Sequence, residues 1–168
     1  YYNAANIDSG TSCGFATGSY NNTNPLLAPL AYNGGPTQTH ALLSGSPSIN
    51  HGDNRYAVEE DDTTPLTTDQ RGAGFARISG ISVDIGAFEV QCPTFPYTAS
   101  AGDTSGLITA IVCANATAAN ETINLTSSTY TLTTAYSGSD GLPPILTGSG
   151  ALTINGNGAT ITRSAAGG

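Results

Sequence analysis

The chain contains no lysine, no methionine and no tryptophan, and its only cations are Arg55, Arg71, Arg77 and Arg163. Against twelve carboxylates this leaves a formal charge of -8 and a pI near 4.2. A surface that grips nucleic acid needs clustered cations to displace counterions, so nucleic acid is excluded as a partner. A polybasic anchor on anionic lipid is excluded for the same reason. No apolar run approaches the roughly 20 residues of a membrane span, and no charged-then-apolar leader is visible. The missing initiator methionine leads us to expect a piece, or a processed form, of a longer precursor.

What is present points to a folded, β-rich chain. Hydrophobic residues make up 38% of the 168 and charged residues only 10%, the reverse of a disordered composition. Residues that favour exposed helix faces are scarce, while Thr, Ser, Asn and Gly, which favour strands and turns, dominate. The length suits one domain or two small ones, and a chain of this size can bury roughly 70% of its unfolded surface.

Cys13, Cys92 and Cys113 show no Cys-x-x-Cys spacing, so a zinc site or a thioredoxin-like motif is not expected. Cys92 and Cys113 flank a short segment that can fold back on itself, which makes them a disulfide candidate. Cys13 is then left as a buried free thiol or a bridge to a cysteine elsewhere. Sequons occur at Asn21, Asn115, Asn120 and Asn124, but chance matches are common in so Thr- and Asn-rich a chain.

The character of the sequence changes near residue 91. Residues 1–91 hold most of the charge and many turn residues, and 92–168 open with a helix candidate and continue as Thr-rich strands. Two prolines in Cys92-Pro-Thr-Phe-Pro96 mark the joint. Asp103 is a good N-cap for a short helix near 104–114, in which Leu107, Ile108, Ile111 and Val112 form one apolar stripe. In the first part, Ile81-Ser-Val-Asp-Ile85 alternates as a strand should, and Phe88 and Val90 continue it after Gly86. In the second part an internal repeat is visible at an offset of 29. It matches Ile123 with Leu152, Leu125 with Ile154, Tyr130 with Ala159 and Leu132 with Ile161. Strand, polar turn and strand, recurring with equivalent residues inward, is how a solenoid coil reads, although a hairpin pair in a sandwich gives a similar pattern.

Asn24-Pro-Leu-Leu-Ala-Pro-Leu-Ala-Tyr-Asn-Gly-Gly-Pro-Thr-Gln-Thr-His-Ala-Leu-Leu-Ser-Gly-Ser-Pro-Ser-Ile49, with Thr68-Asp-Gln-Arg-Gly72 and Val83-Asp-Ile-Gly-Ala-Phe-Glu89, resembles a known pattern. It is similar to the C-terminal end of bacterial right-handed parallel β-helix surface proteins, of the choice-of-anchor or polymorphic outer-membrane-repeat type. Asn6-Ile-Asp-Ser-Gly-Thr-Ser-Cys-Gly-Phe15 resembles the last regular coil of such proteins, and the likeness spans residues 6–89. Residues 92–163 resemble, less tightly, the N-terminal start of the same class, whose helix covers the first coil. The usual Leu-Arg-Glu-Ala version of that helix is absent here. The two ends occur in inverted order, which fits a junction in a tandem array, a protomer that polymerises, or a chain lacking its intervening coils.

The resemblance implies an all-β fold of right-handed parallel β-helix (solenoid) coils, terminal coils in 1–91 and first coils in 92–168, with one capping helix. It also implies a non-catalytic, adhesin-like structural component of a cell-surface or extracellular filament. Head-to-tail coil stacking through Ile123, Leu125, Tyr130, Leu132, Leu152, Ile154, Ile161 and Ile7 would give self-assembly. The partners expected are other copies or tandem neighbours, with cell-surface glycans as a further possibility. The alternative is an enzyme or binding module acting on extracellular polysaccharide.

Candidate chemistry is thin. Glu59, Glu60, Asp61 and Asp62 offer oxygen ligands for Ca²⁺, yet lack the Asp-x-Asp-x-Asp-Gly spacing, so a solvated loop is the better reading and no cofactor is expected. Asp69, Arg71 and Asp84 look catalytic at first sight, but Arg–carboxylate pairs tying loop to strand explain them adequately. His40 and His51 have no partner in a nucleophile motif. Tyr1, Tyr2, Tyr20, Tyr32, Tyr56, Tyr97 and Tyr136 lie in loop-like stretches, where packing is their plainer role and stacking on sugars the sharper one.

Overall fold

The computed structural model describes residues 5–15, 18–61, 63–133, 136, 140–147 and 150–164. The chain divides into two compact units, Tyr1–Gln91 and Cys92–Gly168.

The first unit is mostly irregular. Strands β1 (Leu27–Ala31) and β2 (Thr39–Leu42) form an antiparallel pair with a register shift between Leu27 and Leu30. Beyond them lie a single 3-10 turn at Asn54–Tyr56 and isolated bridges, Ile7 with Tyr20, Val58 with Pro65 and Thr68 with Ala76. The expected strand at Ile81–Ile85 does not form. Its backbone donors go to side chains instead: Val83 N–H to Asn54 Oδ1 at 2.7 Å and Asp84 N–H to Glu89 Oε2 at 2.8 Å. Ile85 N–H goes to the Ser48 carbonyl. Once a buried N–H has such a partner, no neighbouring strand is needed to satisfy it.

The second unit has the more regular core. Helix α1 (Thr104–Asn115) starts at Asp103, whose carboxylate accepts from Gly106 N–H at 2.9 Å. Strands β3 (Tyr97–Ala99), β4 (Glu121–Leu125) and β6 (Leu152–Asn155) form a parallel three-stranded sheet in the order β3-β4-β6. Strands β5 (Thr129–Leu132) and β7 (Thr160–Arg163) form a separate parallel pair. The parallel direction removes the hairpin alternative. Leu107, Ala110 and Ile111 of α1 pack with Ala99, Ile123, Leu125 and Tyr130 as the buried cluster. Tyr130 is buried without strain on its hydroxyl, which donates to the Ala99 carbonyl at 3.1 Å and accepts from Thr126 N–H at 3.2 Å.

Two expectations are corrected here. The fold is mixed α/β and mostly coil, with small separate sheets and one helix among the described residues; it is not an all-β parallel β-helix, and no solenoid coils are formed. Among the described residues each ladder stops at two or three strands. Asn157, at φ 46°, donates from Nδ2 to the Leu125 carbonyl, closing the turn between β6 and β7. The repeat offset is 31 rather than 29: Ile123 lies beside Ile154, and Tyr130 beside Ile161. A shift of two residues keeps every side chain on its face, and this one sets Thr122-Ile-Asn124 against Thr153-Ile-Asn155. Asn155 Nδ2 donates to Asn124 Oδ1 at 2.8 Å, a side-chain bond the other register would lose.

Candidate functional site

The residues proposed for stacking lie in both units. Ile7 is half-buried in the first, bridged in parallel to Tyr20. The other seven lie in the second. Ile123, Leu125 and Tyr130 are buried, and Leu132 and Leu152 are half-buried. Ile154 and Ile161, by contrast, are 41% and 43% exposed. Both stand on outer strands, β6 at the edge of its sheet and β7 at the edge of its pair, beside partners that are 0% exposed, Ile123 and Tyr130. The apolar face covered in β4 and β5 is therefore partly open in β6 and β7, which have no further strand beside them among the described residues.

Cys92 and Cys113 are joined, with Cα atoms 5.6 Å apart, tying the start of the unit to α1. Cys13 is a free, exposed thiol, in contrast to the buried thiol considered above. The sequon asparagines serve the fold. Asn21 spans Phe15 with bonds to both its N–H and its carbonyl, and Asn115 holds Pro144 and Leu146. Asn120 accepts from Ala151 N–H, and Asn124 belongs to the asparagine pair.

In the first unit, the three motifs that carried the resemblance converge on one buried charge network. Asp69 and Arg71 form an ion pair at 2.6 Å with side chains 0% and 5% exposed. Arg71 lies between the rings of Phe75 and Phe88, 3.9 and 3.8 Å from their centroids. Asn33-Gly-Gly-Pro36 closes over it. A Cβ on Gly35 would come within 2.6 Å of the Arg71 Cα, and Gly34, at φ 101°, leaves room for Phe75. Burial pushes the Asp69 carboxyl up, but the Arg71 guanidinium and the N–H groups of Glu89 and Arg71 outweigh it and hold it below the usual range.

Asp84 and Glu89 are spent in the same way. Asp84 accepts from the N–H groups of Asn50 and Val90, both at 2.7 Å, and burial holds its carboxyl above the ordinary value. Glu89 accepts from Ser79 and Asp84 N–H groups at 2.8 Å. Burial, helped by the Asp84 charge, pushes it up to about 7 against those bonds and Arg77. Glu89 was missed in the sequence because a single Glu in an apolar stretch carries no spacing signal. Its N–H also donates to Asp69, which closes the network.

The acidic loop is separate. Asp61 accepts from Thr63 and Thr64, and the Thr64 hydroxyl and N–H bonds lower its carboxyl to about 2. Asp62 lies outside the described residues, as do Tyr1 and Tyr2. Among the described residues no three His, Cys, Asp or Glu side chains converge as a metal site, and no helix is long and apolar enough to cross a membrane. His40 and His51 bond backbone carbonyls, of Ala28 and Ile49 respectively.

No family model, curated protein or solved structure matches this chain. With small separate sheets in place of coils, the likeness to bacterial parallel β-helix surface proteins is overturned, and solenoid and β-helix descriptions fall with it. The quoted motifs instead form a local charge network, which short stretches rich in Gly, Asp and Arg can build without a solenoid.

Proposed function

We propose that this protein is a non-catalytic structural or adhesive component that works outside the cell and associates with its own copies through the open strand edges of β6 and β7. The observation that carries this reading is the exposure of Ile154 and Ile161 beside fully buried register partners. An edge strand with unpaired N–H and C=O groups and an apolar face is a template for another strand, and soluble proteins ordinarily blunt such edges with charge. Here Arg163 is the only charged residue in the two strands.

The disulfide supports an oxidising, extracellular setting. The absence of catalysis is supported by the use made of the buried carboxylates. Asp69, Asp84 and Glu89 are each committed to backbone N–H groups or to arginine. Sedimentation velocity of the whole chain over a range of concentrations tests the reading. Larger species should grow with concentration and disappear in Ile154→Asp; a monomer throughout, or unchanged association in the variant, would overturn it.

A further inference from the structure

We infer that the first unit carries a binding cleft for a neutral hexose, presented as part of an extracellular polysaccharide. The cleft has a volume of about 340 Å³ and is lined by Asn6, Asp53, Tyr56, Val58, Arg77 and Ile85 among others. That is the lower end of the range for small-molecule sites and suits one sugar ring better than a drug-sized ligand.

Its lining has the three features a pyranose needs. An acceptor comes from the half-buried carboxylate of Asp53, which stays ionised because the Arg55 side chain and N–H already donate to its two oxygens at 2.6 to 3.1 Å, and a further donor would share those oxygens. Donors come from Arg77, whose guanidinium makes two long contacts of 3.5 Å, to Glu89 Oε2 and to the Asp84 carbonyl. A guanidinium has five N–H groups, so Arg77 has donor capacity beyond those two contacts. An apolar surface for the C–H face of the ring comes from Val58, Ile85 and the Tyr56 ring, which is 42% exposed.

Charge selects among sugars. The lining holds two carboxylates, Asp53 and Asp84, against one guanidinium, Arg77, and the whole molecule carries -8, so a polyanionic glycan is repelled at long range and meets Asp53 and Asp84 within the cleft. A neutral ring uses donor and acceptor together. This inference does not depend on the strand edge, which belongs to the second unit, so either can fail alone.

The test is a titration of the whole ¹⁵N-labelled chain with neutral gluco-, manno- and galacto-oligosaccharides, with oligogalacturonate as the acidic control. At least one neutral series should shift the amides of residues 6, 53–58 and 77. Tyr56→Ala should weaken that binding tenfold or more while leaving the melting temperature of the first unit unchanged, since Tyr56 is half exposed. Three results would overturn the inference: no neutral series binding at up to about 10 mM, well above a millimolar Kd; shifts mapping elsewhere; or preference for the acidic control. If Tyr56→Ala alters melting, Val58→Asp serves as the second variant and must also abolish the shifts.

Discussion

At the scale of residues, burial of charge decides most of the chemistry. Glu89 is fully buried and its carboxyl is pushed up to about 7, above its ordinary 4.5, so the native state holds a proton that the unfolded chain releases between those values. Stability from this group is complete below about pH 4.5 and is lost as pH rises through about 7. Asp69 acts in the opposite sense. Its carboxyl lies below the ordinary 3.8, so its contribution is lost as pH falls through that lower range. The melting temperature of the first unit should therefore rise on acidification from about pH 8 to about pH 5 and fall again in stronger acid. Thermal melts followed by circular dichroism check this, and Glu89→Gln should flatten the neutral limb. Arg71→Lys should cost about 2–4 kcal/mol, because the ammonium cannot replace the forked contact with Asp69 or stack between Phe75 and Phe88. Urea unfolding reads that loss. These residues were visible in the sequence as a structural Arg–carboxylate group, but Glu89 was not. Its role comes from the fold-back of residues 79–89, which no local pattern announces.

At the scale of elements, the helix was the most legible feature. Asp103, followed by an apolar stripe, specifies a start and a buried face, and both depend only on neighbours in sequence. Strands were harder. Ile81–Ile85 alternates yet is irregular, because Asn54, Glu89 and Ser48, distant in sequence, supply the bonds that a ladder would have made. The repeat was visible and its register was not. Apolar residues recur at both offsets, and only the identity of Thr-Ile-Asn with Thr-Ile-Asn, together with the bond between Asn124 and Asn155, favours 31. Asn124→Ala should therefore weaken the β4–β6 pairing by about 1 kcal/mol, measured by hydrogen exchange of the β6 amides. The bond between Cys92 and Cys113 closes a loop with a sequence separation of 21, which in the chain-entropy picture is worth about 3 kcal/mol. Reduction should lower the second unit's unfolding midpoint accordingly, and an unchanged midpoint would contradict that role.

At the scale of the whole molecule, neither the all-β class nor the solenoid architecture expected from the sequence is what forms. A lysine-free, acidic, Thr- and Asn-rich chain does fold with strands and turns, but recurring motifs are local instructions, and they do not fix how many rungs stack. In the second unit β6 and β7 are outer strands among the described residues, and Ile154 and Ile161 on them are partly exposed. Covering those two side chains removes roughly the exposed fraction of each from water, at about 25 cal/mol per Å². That is modest for one contact, so association through this edge should be concentration-dependent and reversible. The most direct measurement is hydrogen exchange of the amides at 152–155 and 160–163 in the whole chain, compared between dilute and concentrated solution. If the edges pair between copies, these amides gain protection on concentration while those of the buried β4 do not change. Equal exchange at both concentrations would contradict the account.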